Sequence, residues 1–401
     1  MRKLIRIVVL LVLFIVAIRV CSAIAFPISA LLTDAQVSRV DSILANISRP
    51  ERDRYGYAID TLDRRLLLRL LHDSQYDSLE TLLAERWDST RVDIRHEARL
   101  MHAYEAFVQA IPDREESIER WMSARPASTE ARIAMAAHRY GRTLEVRGGR
   151  IAPLAGSDRL AEAQRQASEG ILAADEALRL TPDHLAAQVL RLELLRYVSA
   201  PDTMAARVAL QSALAAHPTS FQLRWTVLGI LEPRWGGSLE LMRQFVATAD
   251  QFAVQNEKLR ALGGAVLQEE AFEDRREYGM AVGLLDQASS FGEHYLLLVA
   301  YGDLHLEHRR YVEALAAYER ALSLSPQGRS ALLGRAEALL KAGALMVDPA
   351  ARDRAWAEAE KVNNLLRDLR PPYSDPDQFS RDLILARAWC ADEKPPCMSG
   401  I

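Results

Sequence analysis

The chain has 401 residues, 49% hydrophobic, 26% charged and only 7% aromatic, enough to bury a large core or to build a long stack of small units. Its formal net charge is −4, and no cluster of basic residues interleaved with aromatics offers the footprint of a nucleic-acid partner. Ala, Leu, Glu and Arg dominate while strand signals are nearly absent, so the expected fold class is all-α.

Residues 1–32 read as a targeting element. Arg2, Lys3 and Arg6 form a positive start, and Ile7 to Ile18 are twelve unbroken apolar residues before Arg19. Ala23-Ile24-Ala25 is a small-x-small site for cleavage after Ala25. Twelve residues are too few to span about 30 Å of hydrocarbon. From Ile7 to Leu32, however, a single charge interrupts 26 residues, which suffices for an anchor. Cleaved signal and retained anchor both stay open. Both place the remainder outside the cytoplasm, because the positive end stays inside. The expected location is therefore the periplasm, free or tethered to the inner membrane, with membrane contact only through residues 1–32.

Beyond this segment apolar periodicity predicts helices throughout. They fall at 33–47, 57–72, 76–87, 93–110, 114–124 and 128–146, within a first helical region, 33–150. Gly148-Gly149 and Pro153 interrupt the pattern near residue 150. Residues 151–290 follow with helices at 158–180, 183–198, 202–216, 219–230, 238–254, 256–271 and 276–289. The region 291–370 carries helices at 293–307, 310–324, 328–342 and 350–368. Pro371-Pro372-Tyr373 then breaks the chain before a last helix at 377–391 in a C-terminal segment, 371–401.

Residues 295–328 show a 34-residue pattern. Counting Tyr295 as position one puts Gly302 at eight, Ala314 at twenty, Tyr318 at twenty-four, Ala321 at twenty-seven and Pro326 at thirty-two. Small residues permit close helix approach, Tyr318 fills the gap to the next pair, and Pro326 stops its helix for want of an N–H. This stretch resembles a tetratricopeptide repeat. Ala177/Pro182 and Ala213/Pro218 repeat the spacing of Ala321/Pro326, and Trp225-x-x-Leu228-Gly229 echoes a repeat opening. Residues 250–290 fit poorly, so the expected architecture is a degenerate tetratricopeptide-like solenoid of helical hairpins.

A second resemblance rests on Trp121-x4-Pro126-x-Ser128, on Arg147-Gly148, and above all on the hexapeptide Pro233-Arg234-Trp235-Gly236-Gly237-Ser238. The arrangement resembles a bacterial family of domains of unknown function with tetratricopeptide-like helices and this hexapeptide. The likeness covers roughly residues 60 to 260. Members often carry Trp before the Arg-Gly pair, where this chain has Leu144-Glu145-Val146. The resemblance implies a fold and no activity. The hexapeptide itself suits an interhelical corner: Pro233 ends a helix, Gly236-Gly237 permit close backbone approach, and Ser238 caps the next helix. Arg234 beside Trp235, Gly236, Gly237 and Ser238 is also a candidate partner or anion site at a helix start.

No catalytic motif stands out. His305 and His308 lack the spacing of a zinc protease helix, and the adjacent carboxylates Glu115-Glu116 and Glu269-Glu270 suit surface charge. No cofactor or metal is expected. A carboxylate clamp does not fit the unit at 295, whose relevant positions are Leu296, Val299, Ala300 and Asp303; Arg191, Arg196 and Arg224 are further groove candidates. In an oxidising compartment Cys390 and Cys397 can close a short disulfide loop. The expected function is a non-enzymatic scaffold binding an unknown protein or peptide. The alternatives are a small-ligand, anion or glycan module at residues 233–238, and an envelope enzyme without a recognisable motif.

Overall fold

The computed structural model describes residues 31–46, 50–108, 112–148, 156–198, 203–273, 276–369 and, apart from 382 and 385, 380–387. Most of the targeting segment, Cys390, Cys397 and the Pro-Pro-Tyr break lie outside the described residues. The fold is all-α, with no strand among the described residues and a lone bridge between Arg52 and Ala58. No helix among them is long and apolar enough to cross a membrane.

The helices are α1 (Asp34–Ala45), α2 (Arg64–His72), α3 (Tyr76–Val92), α4 (Glu97–Tyr104), α5 (Pro112–Ala124) and α6 (Thr129–Arg147). Next come α7 (Ser157–Leu180), α8 (Leu185–Leu195), α9 (Met204–Ala216), α10 (Phe221–Ile230), α11 (Leu239–Ala247) and α12 (Ala265–Glu273). The last five are α13 (Tyr278–Phe291), α14 (Tyr295–Glu307), α15 (Tyr311–Leu324), α16 (Arg329–Ala344) and α17 (Pro349–Leu369). Side-chain caps start many of them: Thr33 forms a capping box with Gln36, and Asp63, Ser128, Thr203, Ser220 and Ser238 each accept a first-turn N–H. Each cap satisfies a donor that the helix itself leaves unpaired.

Several predicted helices are shorter than their apolar pattern; that expected over 93–110 is α-helical only from Glu97 to Tyr104, between two 3₁₀ turns. The helix expected over 57–72 begins only at Arg64, because local side chains take up the preceding backbone. The Asp53 carboxylate accepts from the N–H groups of Tyr55 and Tyr57, both at 2.9 Å, and Asp60 accepts from Leu62 N at 3.1 Å. The helix expected to reach 254 stops at Ala247, where the Thr248 hydroxyl donates to the Phe245 carbonyl at 2.6 Å. Residues Glu257–Gly264 wind as a 3₁₀ helix before α12. Gly264 sits there against the Ala288 carbonyl of α13 with no room for a Cβ.

One apolar core runs from Leu67 through Trp87, Phe107 and Trp121 to Leu190 and Ile230. It crosses the Gly148 interruption, since α6 and α7 pack along each other. A second core joins α14 to α17 around Tyr318, Leu339 and Leu366, and a third links Tyr57, Phe221, Leu228 and Leu262. From α12 to α17 each helix packs on the next, and α14 also touches α16 as α6 touches α8. The Tyr318 ring fills the space left by Gly302 and Gly334, and its hydroxyl donates to Asp303 Oδ1 at 2.7 Å.

The start of the described chain folds back on its end. Val40 of α1 is buried with Val312 and Leu315 of α15, and Arg354 Nη2 meets Asp41 Oδ2 at 2.8 Å. Arg64 donates from its backbone to Gln327 Oε1 at 3.2 Å, and Arg65 reaches Asp368 at 3.1 Å. These contacts bring α1 and α2 against α15, the turn before α16, and α17.

Candidate functional site

The hexapeptide forms a tight corner between α10 and α11. Pro233–Trp235 make one 3₁₀ turn, and Gly236 takes the left-handed region at φ 88. Gly237 lies so close to the Leu231 carbonyl that no Cβ would fit. Ser238 Oγ accepts from Leu241 N at 3.1 Å. The N–H groups of Trp235 and Gly237 donate to the Glu232 carbonyl and that of Gly236 to the Pro233 carbonyl. Trp235 stands edge-on to Tyr197 with centroids 5.1 Å apart, under the Arg196 guanidinium at 5.3 Å. Arg234 turns the other way, 2.5 Å from Glu232 Oε2 and 3.1 Å from Glu269 Oε2, over the Phe272 ring at 4.8 Å.

Arg234 thereby enters the wall of a pocket of about 310 Å³ between α10, α12 and α14. Trp225, Leu228, Leu285 and Leu304 give it apolar sides, while Glu232, Glu269, Asp303 and Glu307 supply carboxylates against the one guanidinium of Arg234. Burial, with the neighbouring charge of Glu232, pushes the Glu269 carboxyl up to about 7. Phe272 is 46% exposed. The adjacent carboxylates separate: Glu269 faces the pocket, and Glu270 pairs with Arg243 at 2.6 Å.

A second cavity, of about 320 Å³, lies between α4, α6, α8, α10, α14 and the start of α16. Trp225 and Leu296 line both spaces. Glu97 is buried on its wall and accepts from Tyr57 Oη and Phe221 N, each at 3.0 Å, and from Ser220 Oγ. Burial raises its carboxyl, an effect that the Ser220 hydroxyl opposes. Lys258 pairs with Asp53 at 2.9 Å and lies 3.9 Å from the Tyr57 ring centroid. His294, 4% exposed, packs edge-on to Trp225 at 4.7 Å and leaves Nδ1 without a hydrogen-bond partner. Burial, then the Lys258 charge, lowers its pKa to about 3, so the ring is neutral at pH 7.

The other groove candidates already have intramolecular partners. Arg191 pairs with Asp175 at 2.5 Å and Arg196 with Glu193 at 2.9 Å, while Arg224 lies over Phe252 at 4.9 Å. His305 Nδ1 is 3.0 Å from Tyr278 Oη. No group of three or more His, Cys, Asp or Glu able to hold a metal occurs among the described residues. Arg329 has no signal in the sequence beyond its place one residue after the N-cap of α16, and His294 has none.

Residues 64–209, from α2 into α9, match the model of a family described as a domain of unknown function (DUF4034). The 233–238 corner lies beyond the matched residues. No curated protein matches the chain.

Proposed function

We propose that this protein is a non-enzymatic scaffold of the bacterial cell envelope. In this reading tetratricopeptide-like hairpins stack as a solenoid, exported by residues 1–32 as a cleaved signal or retained anchor. The solenoid receives a segment of a partner protein in the pocket between α10, α12 and α14. The observation that carries the reading is that pocket's make-up: apolar side walls and four carboxylates, with Arg234 the one Lys or Arg in the lining. Such a surface suits a long basic side chain, whose apolar stem lies along Trp225 and whose head meets Glu269. Phe272, 46% exposed at the pocket's edge beneath Arg234, puts an aromatic ring beside the incoming side chain.

The test replaces Phe272 with a photoreactive benzoylphenylalanine and irradiates whole cells. A discrete adduct that vanishes when Glu269→Lys is added supports the reading. Adducts identical to those from Val254, 92% exposed and outside both spaces, would remove it.

A further inference from the structure

The cavity bounded by α4, α8 and the start of α16 carries an unanswered positive charge. Each carboxylate on its wall already has a partner. Glu105 takes Arg64 at 2.7 Å, Glu193 takes Arg196 at 2.9 Å, and Asp53 takes Lys258 at 2.9 Å. Glu97 is enclosed by hydroxyl and backbone donors. Arg329 is the exception: it lines the cavity and makes no ion pair among the described residues, although its charge reaches Glu105, Tyr140 and Tyr295.

Two further donors stand beside it. Gly328 caps α16 without a side chain, and the N–H groups of Arg329 and Ser330 donate no hydrogen bond among the described residues. Ala331 N is taken by the Tyr295 hydroxyl at 3.3 Å. A guanidinium and two free N–H groups at the positive end of a sixteen-residue helix attract an anion. His294 on the same wall adds an independent sign, a buried ring nitrogen with nothing to bond.

The remaining wall sets the class of anion. Glu97, Glu105 and Glu193 share the cavity, so a doubly charged group would be repelled where a single charge is accepted. Tyr140, Trp225 and Tyr295 provide flat apolar surface for the rest of the molecule. Ser330 is the only residue of the lining in the exposed class, and the volume falls in the range of small-molecule sites. A free small molecule suits this space better than a chain segment.

The geometry points to a binding site for a small monocarboxylate with an aromatic or similarly apolar body, its carboxylate held by Arg329 and the first N–H groups of α16. The assignment stands apart from the partner pocket, and its test reads ligand directly.

Calorimetry on the full chain would compare phenylacetate, its neutral isostere phenylacetamide, and inorganic phosphate. We expect saturable binding of phenylacetate, with the amide weaker by about tenfold, the equivalent of one charge-assisted hydrogen bond. Arg329→Met should erase that difference while the unliganded melting temperature holds. Equal binding of acid and amide, preference for phosphate, or no saturation by phenylacetate at millimolar concentration would each overturn the assignment. The acid–amide comparison on the unaltered protein decides the matter even if the variant does not fold.

Discussion

Arg234 Nη2 stands 3.1 Å from Glu269 Oε2, so the corner after α10 and the helix α12 share one ion pair at the edge of an acidic pocket. The pair does not fully offset the cost of burying the Glu269 carboxylate beside Glu232, and its pKa rises from 4.5 to about 7.

That shift has a sign. Between pH 4.5 and 7 the folded state holds a proton on Glu269 that the unfolded state has released, so this group's contribution to stability falls as pH rises and is fully unfavourable above 7. Glu269→Gln should raise unfolding free energy at pH 8 by on the order of 2 kcal/mol and change it little at pH 4. Urea unfolding of both proteins at the two pH values is the measurement.

His184 and His294 give the opposite slope. His184 stacks on Trp87 with centroids 4.5 Å apart, and neither ring nitrogen has a partner. Burial lowers both histidines from 6.5 to about 3. Below pH 6.5 the unfolded chain gains protons that the folded one refuses, so stability is lost as pH falls towards 3. Each histidine contributes a slope of about 1.4 kcal/mol per pH unit in that window. His184→Phe should flatten the acid limb of a melting-temperature curve by its share and leave the curve above pH 7 parallel to the original.

Arg64 tests the return of the chain onto itself. It is 3% exposed, pairs with Glu105 at 2.7 Å, and reaches Gln327 across most of the sequence. Arg64→Met leaves Glu105 without its partner beside the cavity and should cost about 3–5 kcal/mol. Adding Glu105→Leu should recover most of that loss in a double-mutant cycle read by urea unfolding.

Tyr318 separates packing from hydrogen bonding. Tyr318→Phe keeps the ring between Gly302 and Gly334 and removes only the donor to Asp303, for about 1 kcal/mol. Gly302→Val drives a branched side chain into the ring and should cost about 3 kcal/mol or more. Comparable melting temperatures for the two variants would contradict the close approach of these helices.

Helix content and much of the corner were legible in the chain. Apolar periodicity marks a helix wherever one face is buried, and Pro233, Gly236, Gly237 and Ser238 each answer a local backbone need within a few residues. The helix expected at 57 failed for an equally local reason, the competition of Asp53 and Asp60 for backbone N–H groups. The acidic pocket was not legible: Glu232, Glu269 and Asp303 lie on three elements, and nothing in their spacing says they converge. The same holds for Arg329, which looks like any surface arginine until the cavity is closed around it.

The amino-acid order alone determined the all-α class, the Ser238 cap and the small residues where helices approach closely, because these rest on contacts between near neighbours. Only the tertiary structure decided that α1 covers α15, that Arg64 meets Gln327, and that Trp225 divides two lined spaces. Such contacts join residues far apart in the chain, and packing between distant faces leaves no period for a reader of the sequence to find.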